Sequence, residues 1–155
     1  SIFIPVFQTI DAINSMYVEK TRRGGNAPKF FSSHELWLRV TGSIRRKGLE
    51  IGVYSEAYVN KNKITGKKRK IVFPIYTDYG IDDTATSIDF LIDQDYFKPV
   101  KSSIEAKQFG FEKITIEKLI DHIESNNLQE KLSNLVGKAW NEREATVKIN
   151  RKPRF

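Results

Sequence analysis

Arg22-Arg23-Gly24-Gly25-Asn26-Ala27-Pro28-Lys29-Phe30-Phe31-Ser32-Ser33 is the stretch around which this chain is read. Two arginines run into a glycine pair, and beyond Pro28 a lysine stands beside two aromatic rings. Paired glycines let a backbone approach a bulky partner and adopt positive φ without a Cβ penalty. Arginine and lysine displace counterions from phosphates, and phenylalanine offers a flat face on which a base can stack. Cationic, glycine-hinged and aromatic together is the composition of a loop that grips single-stranded nucleic acid. The plain alternative is a Gly-rich connection between strands that carries incidental surface charge.

Outward from this loop, the chain reads first as strands and then as helices. Residues 2–7 (Ile2-Phe3-Ile4-Pro5-Val6-Phe7) form a dense apolar run that predicts a buried strand. A buried strand needs neighbours on both sides, so the chain reads as the later part of a larger protein or one half of a split one. Strand character resumes over 30–40, with a basic turn over 42–48, and continues over 51–59 and 71–76. Spacing of this kind argues an antiparallel run. From Gly80 the pattern changes. Asp82 or Asp83 can cap a helix that carries Ile88, Leu91 and Ile92. Residues 94–113 read as a linker with short strands. Ile116, Leu119, Ile120 and Ile123 then lie on one helical face. A second helix carries Leu128, Leu132, Leu135, Val136 and Ala139, with Asn127 and Glu130 in capping-box spacing.

The 155 residues amount to one ordinary domain, or one core with a small appendage. A formal charge of +7 and a pI near 9.5 point to a polyanionic partner. The charge is uneven: between residues 20 and 70 only Glu35, Glu50 and Glu56 oppose the lysines and arginines. The polyanion is therefore expected on the strand-and-loop half. The lack of cysteine excludes disulfides and thiolate metal sites. With no signal-peptide pattern and no membrane-length apolar run, the cytoplasm is the expected compartment, with no membrane partner.

Catalytic machinery is thin. His34 and His122 have no ligand-like spacing around them and read as surface or half-buried residues. Asp89 and Asp93, four apart, read as helix-surface acids before they read as a Mg²⁺ pair. No G-x-x-x-x-G-K-[ST] run occurs, so the chain cannot hold a nucleotide through a phosphate loop of its own. Lys61 and Lys63, one residue apart on a strand, would share a face at about 7 Å. Such a pair can clamp a phosphate presented by another chain, or guard an exposed strand edge against aggregation.

Taken together, these residues resemble a family. The stretch from Gly24 to Ser33 resembles the second DNA-binding loop of RecA-type recombinases, GGNALKFYAS in its bacterial form. Lys61-Asn62-Lys63 is similar to that family's KNK element. The run Phe73-Pro74-Ile75-Tyr76-Thr77-Asp78-Tyr79-Gly80-Ile81 is similar to its F-x-I-x-Y-G-x-G-I strand and turn. The three blocks keep the family's spacing from Gly24 to Ile81. Ile2-Phe3-Ile4 followed by Gln8 resembles the strand that ends in the nucleotide-sensing glutamine, with one extra residue before the loop. The resemblance covers residues 1 to about 95 well and the helical hairpin loosely.

The resemblance implies an α/β fold: the second half of a RecA-type ATPase core, a mixed sheet with antiparallel strands, over residues 1–98. A small α+β C-terminal domain ending in a helical hairpin would follow over residues 99–155. It implies ATP-dependent pairing and strand exchange in a homo-oligomeric filament on single-stranded and double-stranded DNA. ATP and Mg²⁺ would be held mainly by an upstream segment carrying the Walker motifs, or by a neighbouring protomer. The chain would be a DNA-dependent ATPase or recombinase only when completed by that segment. Arg22, Arg23, Gly24, Gly25, Asn26, Lys29, Phe30 and Arg39 would contact DNA. Lys61 and Lys63 would reach the terminal phosphate of ATP in trans, and Gln8 would sense the nucleotide. Two departures stand out: Glu35 replaces an arginine of the bacterial form, and Lys148, Lys152 and Arg154 replace its acidic tail. That tail points to the phage branch. The competing readings are a nucleic-acid-binding module indifferent to nucleotide and a regulatory subunit of a recombinase filament.

Overall fold

The computed structural model describes residues 2–11, 20–22, 27–149 and 151. The chain divides into two compact units, one made of Ser1–Trp37 with Tyr58–Lys70, the other of Leu38–Ala57 with Ile71–Phe155. The fold is mixed α/β with antiparallel sheets, as expected.

In the first unit, β1 (Thr9–Asp11) pairs antiparallel with β2 (Lys20–Arg22), placing Thr9 opposite Arg22. The short helix α1 (Ala27–Phe31) follows. Two sequence expectations fail here. Residues 2–7 form no strand, and Ile2, Phe3 and Val6 are 89%, 88% and 92% exposed. No described strand pairs with this run, and Pro5 lacks the N–H a ladder needs. The strand expected over 30–40 starts only at His34, because residues 27–31 are helical. Pro28 in the first turn of a helix sacrifices a donor that would be unpaired anyway.

β3 (His34–Arg46) and β4 (Leu49–Asn62) are long strands that contribute residues to both units. The turn between them is narrower than the sequence implied. The strand runs through Gly42, and only Lys47 and Gly48 turn, with φ of 52° and 82°. Positive φ at both central residues is the requirement of the two-residue hairpin turn that matches strand twist. With β5 (Lys70–Tyr76) and β6 (Gly80–Ile81) these strands form a sheet ordered β3-β4-β5-β6. Gly52 lies where β4 and β5 come closest: a Cβ there would stand 2.3 Å from the Ile75 carbonyl oxygen and 3.0 Å from Tyr76 Cα. Leu36, Leu38 and Val40, at alternate positions of β3, are all exposed. Among the described strands β3 has a neighbour on one side only.

The main core lies in the second unit. α2 (Asp83–Asp93) is capped by Asp82, whose carboxylate accepts from the Ala85 amide at 2.8 Å. β7 (Lys98–Val100), β8 (Ser103–Ala106) and β9 (Phe111–Ile114) form an antiparallel sheet. α3 (Ile116–Ser125) and α4 (Gln129–Thr146) complete the hairpin. Ile88, Leu91, Phe97, Ile104, Phe109, Leu119, Ile123 and Leu132 belong to one buried cluster, so the core draws on both sides of residue 98.

α2 and α3 end by the same device. Asn127, at φ 53°, closes α3: its amide donates to Glu124 O and the Leu128 amide to Ile123 O. Asp95, at φ 59°, closes α2 in the same way, with its amide to Ile92 O and that of Tyr96 to Leu91 O. Both are left-handed terminations with the 5→2 and 6→1 bonds of a Schellman motif. The capping box expected from Asn127 is therefore absent. Asn127 ends one helix rather than starting the next, and Leu128 takes the N-cap position of α4 without a side-chain bond.

Replacing Gly52 by Ala is expected to cost about 2 kcal/mol or more, because the obstructing atoms are backbone. Leu119→Ala, at a fully buried position, is expected to cost about 2–5 kcal/mol; urea titration measures both. Asp89 is held above the usual carboxylate range, first by loss of solvent and then by Asp93 and Asp82. A carboxyl whose folded pKa is raised destabilises the fold while it is ionised. Asp89→Asn should therefore add up to about 0.5 kcal/mol at neutral pH, a gain that vanishes as pH falls through the carboxylate range. Thermal melts of both proteins between neutral and acidic pH measure it.

Candidate nucleic-acid and phosphate site

Four of the residues singled out by sequence, Lys29, Phe30, Lys61 and Lys63, meet at α1. Its five residues leave the last carbonyls without helical partners. Ser32 takes up part of the demand: its amide donates to Pro28 O at 3.0 Å and its hydroxyl to Lys29 O at 3.2 Å. Lysines supply the rest. The Lys61 ammonium donates to Lys29 O and, at 3.2 Å, to Phe30 O. The Lys63 ammonium donates to Phe30 O at 2.8 Å and lies 5.8 Å from the centre of the Phe30 ring. Two elements 30 residues apart in sequence thus meet through two cations and two carbonyls.

What aims the lysines is Asn62, the last residue of β4. Its side-chain oxygen accepts from the Ile64 and Thr65 amides at 3.1 Å each. Its side-chain nitrogen donates to Thr65 Oγ1 at 2.7 Å and to Lys67 O at 3.2 Å. Gly66, at φ 69°, completes the turn by donating to Asn62 O. Asn62 belongs to the quoted Lys-Asn-Lys element, but its part in fixing the turn was missed. The signal was present in Asn62 followed by Thr65-Gly66, since Asn side chains bond to backbone two or three residues on. The Lys63 amide also donates to Ser33 O at 2.9 Å, tying the turn to the end of α1 a second time.

The electrostatics of the pair are those of two like charges close together. Lys61 sits below the usual lysine range, first because it has lost solvent, then because the Lys63 and Lys29 ammonium groups repel it. Glu35 acts in the opposite sense, and its carboxylate accepts from the Asn60 side chain at 3.0 Å. The acid that replaces the family's arginine is therefore engaged beside the lysine pair.

The remaining candidates are distributed as follows. Phe30 is 72% exposed, with its ring edge-to-face on Phe31 at 5.4 Å. Lys29 is exposed. Arg22 ends β2, and Gln8, also exposed, directly precedes the paired strand β1. Arg23, Gly24, Gly25 and Asn26 lie outside the described residues. Arg39 belongs to the second unit, where its Nε donates to Glu56 Oε1 at 2.8 Å. Glu56 is buried, so this arginine neutralises an acid of its own sheet, a role sequence spacing did not suggest. His122 packs against Phe111, ring to ring at 4.9 Å.

Chemically, the site offers ammonium groups to an anion. Two lysines aimed at one point suit phosphate oxygens, which is the part of ATP that the resemblance assigns to them. Among the described residues there is no group of three or more His, Cys, Asp or Glu side chains able to hold a metal ion. No described helix is long and apolar enough to cross a membrane.

No protein-family model matches the chain. It is similar to the protein RecA of Trichodesmium erythraeum, at 31% identity over 109 residues, 69% of this chain and 29% of that protein. It is 37% identical to RecA of Cereibacter sphaeroides over 70 residues, 45% of this chain and 20% of that protein. For RecA of Geobacter metallireducens the identity is 32% over 75 residues, 48% of this chain and 22% of the relative. The chain therefore spans less than a third of the length of these relatives. Across the matched residues it is related to RecA.

Proposed function

We propose that this chain is the DNA-gripping and phosphate-contacting part of a RecA-type recombinase, equivalent to the family's C-terminal half. It acts in an ATP-dependent filament that pairs a single strand with a homologous duplex. The observation that carries this reading is the meeting of Lys61 and Lys63 with α1, the helix that follows the Gly-rich stretch. The two blocks assigned to phosphate and to DNA are adjacent within one compact unit. Partial similarity to RecA supports the same assignment.

In this reading Arg22, Arg23 and Lys29 neutralise phosphates of the strand, Gly24, Gly25 and Asn26 let the backbone approach it, and Phe30 stacks on a base. Arg39, whose charge is taken up by Glu56 in the second unit, stands apart from this grip. Lys61 and Lys63 contact the terminal phosphate of ATP bound by a neighbouring protomer, and Gln8 responds to it. ATP supplies the phosphate charge, and its Mg²⁺ is held with the Walker motifs, which this sequence does not contain. Phosphoryl transfer requires those motifs from another segment.

The reading is tested by fluorescence anisotropy of the chain with labelled oligo-dT across a series of salt concentrations. The logarithm of affinity is expected to fall linearly with the logarithm of salt. Lys29→Ala should reduce the slope by about one unit and weaken binding to all sequences alike. Absence of binding, or binding insensitive to salt, would overturn the assignment. Equal affinity with and without ATP, in the presence of a Walker-bearing partner, would make the chain a nucleotide-independent binding module instead.

A further inference from the structure

Arg39, a cation that the resemblance assigns to DNA, is given by the fold to an acid. β3 and β4 set it beside Glu56, and its Nε donates to Glu56 Oε1 at 2.8 Å. The partners are unequally placed: the Arg39 side chain is 71% exposed and that of Glu56 only 10%. A second bond fixes the strands at this point, from the hydroxyl of buried Ser55 to Arg39 O at 3.4 Å. Of the three acids among the cations of residues 20–70, Glu56 is the one that lies buried.

We infer that Glu56 masks Arg39, so that a polyanion meets a neutral pair on this sheet, and that this acid sets the charge which the second unit offers to nucleic-acid phosphate. Taking the anion as nucleic-acid phosphate rests on the proposed function; the pairing does not. A phosphate contact gains affinity by releasing counterions condensed on the nucleic acid, and this requires uncompensated positive charge. A guanidinium with a carboxylate 2.8 Å away offers almost none beyond a Debye length, even with most of its side chain in solvent.

Phosphate cannot draw the guanidinium away either. A buried carboxylate left without its partner is destabilised by more than an exposed ion pair returns. The competition is therefore one-sided, and Arg39 stays with Glu56 for as long as the acid is charged. Lys29 and Arg39 then differ in kind: the exposed lysine adds positive charge outright, and the arginine adds none. An amide in place of the carboxylate separates charge from geometry. Glutamine keeps an oxygen that accepts from Arg39 Nε, so the cross-strand bond persists while the guanidinium regains its charge.

Fluorescence anisotropy of the full chain with labelled oligo-dT, across a series of salt concentrations, tests the mask. Glu56→Gln should bind about threefold or more tighter than wild type, with a salt slope steeper by about one unit. Arg39→Met combined with Glu56→Gln keeps the wild-type net charge and should bind as wild type does. Glu130→Gln, at an exposed position in the first turn of α4, raises net charge equally and should leave the slope unchanged. A Glu56→Gln slope equal to that of wild type or of Glu130→Gln would overturn the mask. So would a double variant that binds more weakly than wild type, since Arg39 would then already serve the anion. Should Glu56→Gln lose its cooperative melting transition, the double variant against wild type decides alone. Absence of oligo-dT binding in every protein would sink the recombinase reading, and elution from heparin by salt then decides the mask. Glu56→Gln eluting last, with wild type and the double variant together, supports it; Glu56→Gln eluting with Glu130→Gln overturns it.

Discussion

A helix of one and a half turns cannot satisfy its own ends, and that constraint organises the first unit. The carbonyls of Lys29 and Phe30 demand donors, and the donors come from the far end of a hairpin loop. Asn62 makes this feasible by freezing the turn that presents them. Without the turn, two long flexible side chains would lose too much rotamer freedom on being held at one spot. With it, most of that ordering is already accomplished by backbone bonds. Among the described residues of this unit, order comes from polar contacts, with little apolar burial behind it.

The second unit is built in the opposite manner. Its stability rests on Ile88, Leu91, Phe97, Leu119 and Ile123, all fully buried, with helix ends closed by left-handed Asp95 and Asn127. Apolar burial is insensitive to the charge of a ligand, whereas lysine–carbonyl bonds respond to it directly. Local stability in proteins varies in this manner, and parts that respond to ligands come from the weaker end. The chain thus pairs a unit ordered by polar contacts with a unit ordered by apolar burial.

Much of this was readable from residues alone. The apolar face Ile116, Leu119, Ile120 and Ile123 marked α3, and the pair Asp82-Asp83 marked the start of α2, because periodicity and caps are local properties. The lysine pair and the Lys29-Phe30 block were visible as motifs, while their meeting was not, since nothing in 30 intervening residues encodes a distance. Two errors shared one cause. Apolar density over 2–7 and over 30–40 predicts strand, but an apolar run becomes a strand only where a partner strand accepts it. Asn127 illustrates a different ambiguity: the residue type that caps a helix start also tolerates the left-handed conformation that ends one. Arg39 shows a third. Its charge was evident, but the buried Glu56 that claims it sits 17 positions away on the next strand.

The row of Leu36, Leu38 and Val40 along β3 carries a practical consequence. A thirteen-residue strand with one flank unpaired among the described strands and greasy alternate positions is a template for adding another strand. Purified by itself and concentrated, the polypeptide will tend to stack flank to flank. Its colloidal behaviour is set there by adhesion, while the surplus of positive charge opposes it, so low-salt, dilute storage is the regime in which its particles stay apart.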